Sequence, residues 1–225
     1  TTPIKTEVLN EMMPFLTTEY GNASSLYSIG RNCKRAIEKA RKQVAELLNC
    51  KSSEIFFTAG GTESDNIALK GFAYENKEKG NHIITSKIEH PAILETCKTL
   101  ERQGFEISYI NVGEDGILKI DELQNEIRPT TILISVMTAN NEIGTIQPIE
   151  EIAKIAHQNN IVFHTDAVQA IGNMEIDVEK MEIDMLSLSG HKINAPKGIG
   201  ALYIKNGIKI QKTIDGGHQE KDKRA

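Results

Sequence analysis

The stretch TILISVMTANNEIGTIQPIEEIAKIAHQNNIVFHTD, residues 131–166, contains two apolar strand patterns with a helix pattern between them. TILISVM (131–137) and IVFHT (161–165) are short, rich in β-branched residues and without polar alternation. PIEEIAKIAHQNN (148–160) begins with proline and repeats its apolar residues at helical spacing. Strands that are apolar on both faces and separated by a helix are typical of a parallel sheet covered by helices.

Strand and helix patterns alternate along the chain after about residue 50. Further short β-rich runs predict strands at 54–58, 82–86, 105–112, 183–189 and 198–204. The sequence therefore predicts an α/β protein with a mainly parallel sheet sandwiched by helices. We expect an N-terminal helical segment at 1–49 and a larger domain at 50–225.

The composition narrows the class of protein. The chain has 225 residues and a net charge of −5, which argues against non-specific nucleic-acid binding. No apolar run is long enough to span a membrane, and the N-terminus lacks a signal-peptide core. We interpret the basic stretch RNCKRAIEKARK (31–42) as a solvated helix face. Cys33, Cys50 and Cys97 form neither a metal-ligand spacing nor a disulfide framework, which indicates a cytoplasmic protein without a metal site.

Parallel sheets place their chemistry at the carboxyl ends of strands, so the residues that follow each strand are candidates for a site. After the first strand, TAGGTESDN (58–66) puts Gly61 and Thr62 at a helix start, where N–H groups favour a phosphate. An ordinary glycine turn capped by Thr62 is the alternative. After the second strand, His90 is suited to stack on a flat ligand or to move a proton, although a structural histidine is the commoner case.

Polar residues also follow the next two strands. In TANNEIG (138–144), the amide of Asn141 can bond a ligand hydroxyl, whereas the alternative is a plain turn. Asp166 ends a buried strand and is suited to hold a protonated ring nitrogen, unless it only caps a helix. Gln169 lies on the same side if a helix begins there.

The stretch SLSGHKINAPKG (187–198) places Lys192 directly after a histidine in a Ser/Gly-rich turn. A lysine amine in a desolvated pocket is a nucleophile toward carbonyls, whereas most lysines are solvated surface residues. Together the strand ends supply a phosphate cradle, a ring stacker, a hydroxyl partner, a carboxylate for a ring nitrogen and an imine-forming lysine. Pyridoxal 5'-phosphate is a phosphorylated pyridine aldehyde held on a lysine, and it requires this set.

The motifs that carry these residues resemble those of a known family. GGTESDN, IEHPAI, ANNEIGTIQPI, HTDAVQ and SLSGHKINAPKGIGALY look like the cysteine desulfurases, which are class V aminotransferase-like, fold-type I pyridoxal-phosphate enzymes. The resemblance covers essentially the whole chain and implies that residues 50–225 are the cofactor-binding large domain. It also implies a transferase that takes sulfur from L-cysteine, leaves L-alanine, and passes the sulfur as an enzyme persulfide toward iron–sulfur cluster or thio-cofactor assembly.

The resemblance implies a role for each candidate residue. Lys192 would form the Schiff base with the cofactor and later move protons, Asp166 would pair with the pyridinium nitrogen, and His90 would stack on the ring and act as acid or base. The residues implied to hold the phosphate are Gly61, Thr62, Ser189 and His191. Those implied to face the pyridoxal hydroxyl or the substrate are Asn141 and Gln169.

The resemblance also sets expectations about what lies outside this chain. The family's sulfur-accepting cysteine follows the lysine motif, whereas the three cysteines here precede Lys192, so none is assigned that role. The acceptor loop and a C-terminal small domain are expected outside the chain, which alone should not turn over. A homodimer and a sulfur-acceptor or scaffold protein are the implied partners. Two rivals remain: a selenocysteine lyase or other class V lyase, and a non-catalytic scaffold that binds sulfur-transfer proteins through the basic helix 31–42.

Overall fold

The computed structural model describes residues 1–224, which contain one sheet of seven strands. In chain order, β1 to β7 span Ile55–Thr58, His82–Ser86, Glu106–Ile110, Thr131–Ser135, Val162–Asp166, Met185–Ser189 and Gly200–Ile204. Their order across the sheet is β1-β7-β6-β5-β4-β2-β3. β7 is antiparallel to β1 and β6, and every other neighbouring pair is parallel. The predicted α/β class with a mainly parallel sheet is confirmed.

Seven α-helices within residues 1–224 accompany the sheet. In chain order, α1 to α7 span Thr6–Thr17, Ser28–Leu48, Gly61–Asn66, Phe72–Asn76, Pro91–Arg102, Ile120–Glu126 and Ile149–Gln158. A π-helical turn at Ile67–Gly71 joins α3 to α4, so residues 61–76 form one continuous helical segment. Both α1 and α2 fall within the N-terminal segment that was expected to be helical. No helix of the described chain combines the length and the apolar character that crossing a membrane requires.

Apolar side chains cover both faces of the sheet. On one face, Leu48 of α2 and Ile152 of α7 pack in a cluster with Ile134 and Phe163. The opposite face forms a second cluster, in which the segment 61–76 and α5 cover strand residues. The alternation of the two clusters along each strand explains why the strands carry apolar residues at nearly every position.

The β4–α7–β5 unit shows how the sequence specifies this arrangement. Pro148 is the N-cap of α7, as the proline in the sequence predicts. The buried residues of α7 are Ile149, Ile152, Ala153, Ile155 and Ala156, spaced so that they share one face. Full burial of each large one contributes about 1.5–3 kcal/mol. Asn160 then adopts a positive φ of 56°, which turns the chain into β5.

The basic stretch on α2 differs from its interpretation at one position. Most of its cations are exposed, but the side chain of Arg41 is only 4% exposed. Its Nη1 atom donates to the carbonyl oxygen of Ile55 at 2.8 Å and to Oε2 of Glu220 at 2.6 Å. Arg41 therefore ties α2 to β1 and to the C-terminal segment, and the interpretation as a purely solvated face is wrong for this residue.

Candidate functional site

A cavity of about 750 Å³ lies at the edge of the sheet where the parallel strands end. Most of the residues that line it lie at the carboxyl ends of β1, β2, β4, β5 and β6 or directly after them, and Thr1 of the N-terminus also contributes. All nine residues that the sequence selects as candidates line this one cavity. They are Gly61, Thr62, His90, Asn141, Asp166, Gln169, Ser189, His191 and Lys192.

A tight turn presents Lys192 to the cavity. β6 ends at Ser189, and Gly190–Lys192 forms a single 3₁₀ turn. A Cβ atom on Gly190 would lie 2.7 Å from Cγ2 of Ile199, so the turn can pack this closely only without a side chain. On the other side, the N–H of Thr2 donates to the carbonyl oxygen of His191 at 2.7 Å. Lys192 is half-buried on a backbone that is held from two directions.

The start of α3 lies where the sequence predicts a phosphate cradle, with one change in the helix start. The helix begins at Gly61 rather than at Thr62, and Gly60 occupies the N-cap position. A Cβ atom on Gly61 would lie 2.7 Å from Cγ2 of Val168 and 3.6 Å from Cβ of Ser189. The backbone N–H groups of the first turn therefore approach the β5 and β6 loops closely, where the helix N-terminus favours an anion.

Glu63 puts a carboxylate in the same helical turn. Its Oε2 atom accepts from the N–H of Ala59 at 2.7 Å, and its Oε1 atom is contacted by Nε of Arg224. An unpaired carboxylate here would repel a phosphate. The guanidinium of Arg224 compensates its charge and leaves the first turn able to receive an anion.

Asp166 ends β5 with a side chain that is only 5% exposed. Its Oδ1 atom accepts from the N–H of Val168 at 2.9 Å. Burial raises the pKa of Asp166, and the bond from Val168 and the charges of His90 and Lys192 oppose that rise. The sequence places Gln169 on the same side as Asp166 only if a helix begins there. Residues 168–170 form a turn and not a helix, yet Gln169 still lines the cavity. Asp166 thus presents a costly buried carboxyl group to the cavity.

His90 has a structural and a cavity-facing role at the same time. Its Nδ1 atom accepts from the N–H of Ala92 at 3.1 Å, which caps α5. This bond requires a lone pair on Nδ1, so in the neutral ring the proton resides on Nε2. The ring is half-buried and lines the cavity.

The two consecutive asparagines after β4 divide their roles. Asn140 is buried, and its Nδ2 atom donates to the carbonyl oxygen of Ile88 at 2.8 Å. Its Oδ1 atom accepts from the N–H groups of Glu142 and Ile143. Asn140 therefore holds its own loop, residues 138–144, against the loop that carries His90. The next residue, Asn141, is exposed and lines the cavity.

Sequence reasoning missed two buried carboxyl groups near the cavity, Asp65 and Glu89. Oε1 of Glu89 accepts from Ser86 Oγ at 2.6 Å, and its two oxygens lie 3.0 and 3.1 Å from the N–H nitrogen of Met137. Burial raises the pKa of Glu89 to about 8. Both acids lie within motifs of the sequence analysis, TESDN and IEHPAI. Because Asp and Glu side chains are usually exposed, the sequence provided no reason to expect these two to be buried.

The three cysteines, all within the described residues, do not line the cavity. Cys33 and Cys97 are buried, and Cys50 is half-buried. Burial raises the pKa of the Cys97 and Cys50 thiols to about 12. A thiol that stays protonated is a poor nucleophile, which agrees with the expectation that Cys50 and Cys97 do not accept sulfur.

The side chains present fit a phosphorylated pyridine aldehyde in two respects. A buried carboxyl group, Asp166, and a half-buried lysine, Lys192, line one cavity, and these are the groups that such a ring nitrogen and aldehyde require. The close approach of Gly61 to the neighbouring loops also leaves the helix N-terminus open to a phosphate.

Comparisons with known proteins agree with this geometry. The family model described as aminotransferase class-V matches residues 1–224. A relative named cysteine desulfurase IscS, from Clostridium botulinum (strain Kyoto / Type A2), is 58% identical over all of this chain, which covers 57% of the relative. The relative with the same name from Methanosarcina thermophila is also 58% identical, and 56% of it is covered. The chain thus spans little more than half the length of these curated relatives.

Solved structures show the same likeness. A structure described as a NifS-like protein superposes with a TM-score of 0.98 at 43% identity, over all of this chain and 62% of that chain. One described as SspA in complex with cysteine gives a TM-score of 0.97 at 42% identity, over all of this chain and 65% of that chain. These neighbours have the fold-type I fold of pyridoxal-phosphate enzymes, and the homologues use that cofactor. The chain belongs to the aminotransferase class-V family.

Proposed function

We propose that the protein that contains this chain is a pyridoxal-phosphate-dependent cysteine desulfurase, which takes sulfur from L-cysteine and leaves L-alanine. One observation carries the proposal: the nine candidate residues, drawn from five separate stretches of sequence, line a single cavity at the carboxyl edge of the sheet. The relatives that share its sequence over this length are named for that activity, and one structural neighbour is described as a complex with cysteine. We infer that residues 50–225 are the cofactor-binding large domain.

The cofactor, when bound, supplies an electron sink for bonds that break at the amino-acid substrate. Lys192 would hold it through Nζ and afterwards carry a proton to or from the substrate. Asp166 would face the ring nitrogen with a carboxylate that water does not screen. The residues that would bind the phosphate are Gly61, Thr62, Ser189 and His191.

His90 would lie against the ring with its Nε2 proton available for transfer, because its Nδ1 atom is occupied by the N–H of Ala92. Asn141 and Gln169 would meet the ring hydroxyl or the substrate through their amide groups. The thiol that accepts the sulfur is none of the three cysteines of this chain. We further propose a cytoplasmic homodimer that passes sulfur to an acceptor or scaffold protein of iron–sulfur cluster or thio-cofactor assembly.

The test uses the full-length protein, loaded with cofactor, and L-cysteine in the presence of a reducing thiol. We expect L-alanine and sulfide in equal amounts, and no alanine from the Lys192→Ala variant. The matched control is Lys39→Ala, at an exposed position on α2, which should retain full activity. Alanine from L-selenocysteine but none from L-cysteine would assign the protein to the selenocysteine lyases instead. No product from either amino acid by a loaded protein would contradict the proposal.

A further inference from the structure

Asp65 on α3 lines the cavity without a role in the proposed function. Its side chain is only 1% exposed. Its Oδ1 atom is, among the described residues, the single buried side-chain nitrogen or oxygen with no hydrogen-bond partner. A buried carboxylate with an unpaired oxygen is far more costly than a neutral carboxylic acid in the same place, because burial removes the hydration of the charge.

The imidazole of His164 lies near Asp65 but cannot supply a compensating positive charge. His164 of β5 is fully buried, and its Nε2 atom lies 3.9 Å from Oδ1 of Asp65, which is beyond hydrogen-bond distance. Two hydroxyl groups occupy its nitrogens: Ser135 Oγ lies 2.9 Å from Nδ1, and Ser187 Oγ lies 3.0 Å from Nε2. Burial lowers the pKa of His164 to about 3, so the ring stays neutral at physiological pH.

Two further buried carboxyl groups bear on Asp65, namely Asp166 and Glu89, each 5% exposed. Asp166 has a backbone N–H donor and faces the charges of His90 and Lys192. Asp65 has neither advantage. Among the described residues, no group of three or more His, Cys, Asp or Glu side chains could hold a metal ion that would neutralise these acids. Protonation of Asp65 and Glu89 lowers the number of negative charges that the three acids carry.

We propose that Asp65 is a positioning acid for Asp166: it keeps its proton, so that the cluster of Asp65, Glu89 and Asp166 carries a single negative charge, on Asp166. A second charge at position 65 would repel that of Asp166 and drive a proton onto it, which would remove the anion that a ring nitrogen meets. The role of Asp166 toward the ring rests on the proposed function, whereas the placement of the proton concerns this chain alone.

The charges and hydrogen bonds around the two aspartates also favour a proton on Asp65 over one on Asp166. Burial raises the pKa of Asp65 well above its usual range, and the charges of Asp166 and Glu89 add to that rise, whereas the hydroxyl group of Ser187 opposes it. For Asp166, the neighbouring His90 and Lys192 lower the pKa and partly offset burial. The proton therefore resides on Asp65, whose pKa is not lowered by the charges of His90 and Lys192 as that of Asp166 is.

Infrared spectroscopy of the cofactor-free, full-length protein tests this placement at neutral pH. Aspartate labelled with ¹³C at its side-chain carboxyl carbon shifts the C=O band of a protonated Asp and leaves that of Glu89 in place. We expect the wild-type protein to show such a shifted band, Asp65→Asn to lose it completely, and Asp166→Asn to retain it, because burial alone keeps Asp65 protonated. Asp121→Asn, the same change at an exposed position on α6, should leave the band unchanged.

Three results would overturn the placement: no shifted band in the wild-type protein, a band that survives in Asp65→Asn, or a band that disappears in Asp166→Asn. The last measurement decides the matter even if Asp65→Asn does not fold. Because no cofactor or substrate is present, the outcome is separate from that of the desulfurase assay. A protein that shows the expected bands but makes no alanine would refute the proposed function and leave the proton on Asp65.

Discussion

Buried polar groups differ between the amino edge of the sheet, where the parallel strands begin, and the carboxyl edge, where they end. At the amino edge, Asp184 is buried, but its Oδ2 atom accepts from the N–H of Phe163 at 3.0 Å and bonds His157 Nε2 at 2.8 Å. His82 on the same edge has a hydroxyl partner on each ring nitrogen, from Thr131 and Ser108. At the carboxyl edge, the carboxyl groups of Asp65, Glu89 and Asp166 all have raised pKa values.

The difference separates groups that stabilise the fold from groups that are kept for a ligand. Polar atoms at the amino edge satisfy one another, as buried polar groups in folded proteins normally do. Of the acids at the carboxyl edge, Asp166 faces the charges of His90 and Lys192, whereas Oδ1 of Asp65 has no hydrogen-bond partner. Asp65 and Asp166 line the cavity that the candidate residues share. Carboxyl groups with perturbed pKa values concentrate at functional sites.

The sharpest test of the comparison is Asp166→Asn. An amide keeps the shape but removes the charge, so we expect kcat/KM of the full-length enzyme to fall by at least about 10²-fold, as for loss of a group that acts in the transition state. The free energy of unfolding of the cofactor-free protein should not decrease, because the change removes a buried carboxyl group whose charged form is disfavoured. Steady-state kinetics and urea unfolding measure the two effects, and a stability loss with unchanged kinetics would break the contrast.

Glu89→Gln tests how much a buried acid at the carboxyl edge lowers the free energy of unfolding. The pKa of Glu89 rises from 4.5 to about 8 on burial, so the folded protein keeps a proton that the unfolded chain releases. Stability from this group is therefore present below pH 4.5 and is lost as the pH rises to about 8. Its loss amounts to a few kcal/mol, since each pKa unit corresponds to about 1.4 kcal/mol.

Urea unfolding at several pH values checks this expectation. Glu89→Gln should flatten the decline in stability between pH 4.5 and 8 relative to the wild type. Glu150→Gln, at an exposed position on α7, is the matched control and should leave the profile as it is. An equal slope in Glu89→Gln and the wild type would show that Glu89 is not protonated in the folded protein.

Asp184→Asn makes at the amino edge the same change as Asp166→Asn. We expect a loss of about 1–3 kcal/mol in the free energy of unfolding, because an amide cannot accept from Phe163, His157 and Lys205 as the carboxylate does. Activity per folded molecule should stay unchanged, since Asp184 lies at the opposite edge from the cavity. Reduced activity at full folding would mean that the two edges are not functionally separate.

Of these substitutions, Arg128→Gln should have the smallest effect on the free energy of unfolding. Its guanidinium pairs with Glu106 at 2.6 Å and with Glu126 at 3.2 Å, but all three side chains are substantially exposed. Exposed pairs contribute less than about 1 kcal/mol, and salt weakens them. Thermal unfolding at low and high salt measures the effect. A loss as large as that of Asp184→Asn would indicate that exposure does not set the strength of the pairs at this edge.

Local pattern was sufficient for the sheet, because apolar runs mark strands. The rule that parallel strands end at one edge also explains why the nine candidate residues line one cavity, although Ser189 and His191 were given a role only through the family resemblance. Pattern could not show that Arg41 is buried, since its partner Glu220 is far away in the chain. It could not distinguish Asp65 from exposed acids either, because burial beneath a neighbouring strand is a tertiary property. The turn after Asp166 likewise depends on a side-chain bond to the N–H of Val168 rather than on helical spacing.

The most direct test of the proposed function asks which lysine holds the cofactor. The full-length protein is incubated with pyridoxal 5'-phosphate, reduced with borohydride, digested and mapped by mass spectrometry. The account predicts one cofactor adduct per chain, on Lys192, and no adduct at that peptide without cofactor. An adduct on Lys197, which also lines the cavity, or no adduct on any lysine, would contradict it.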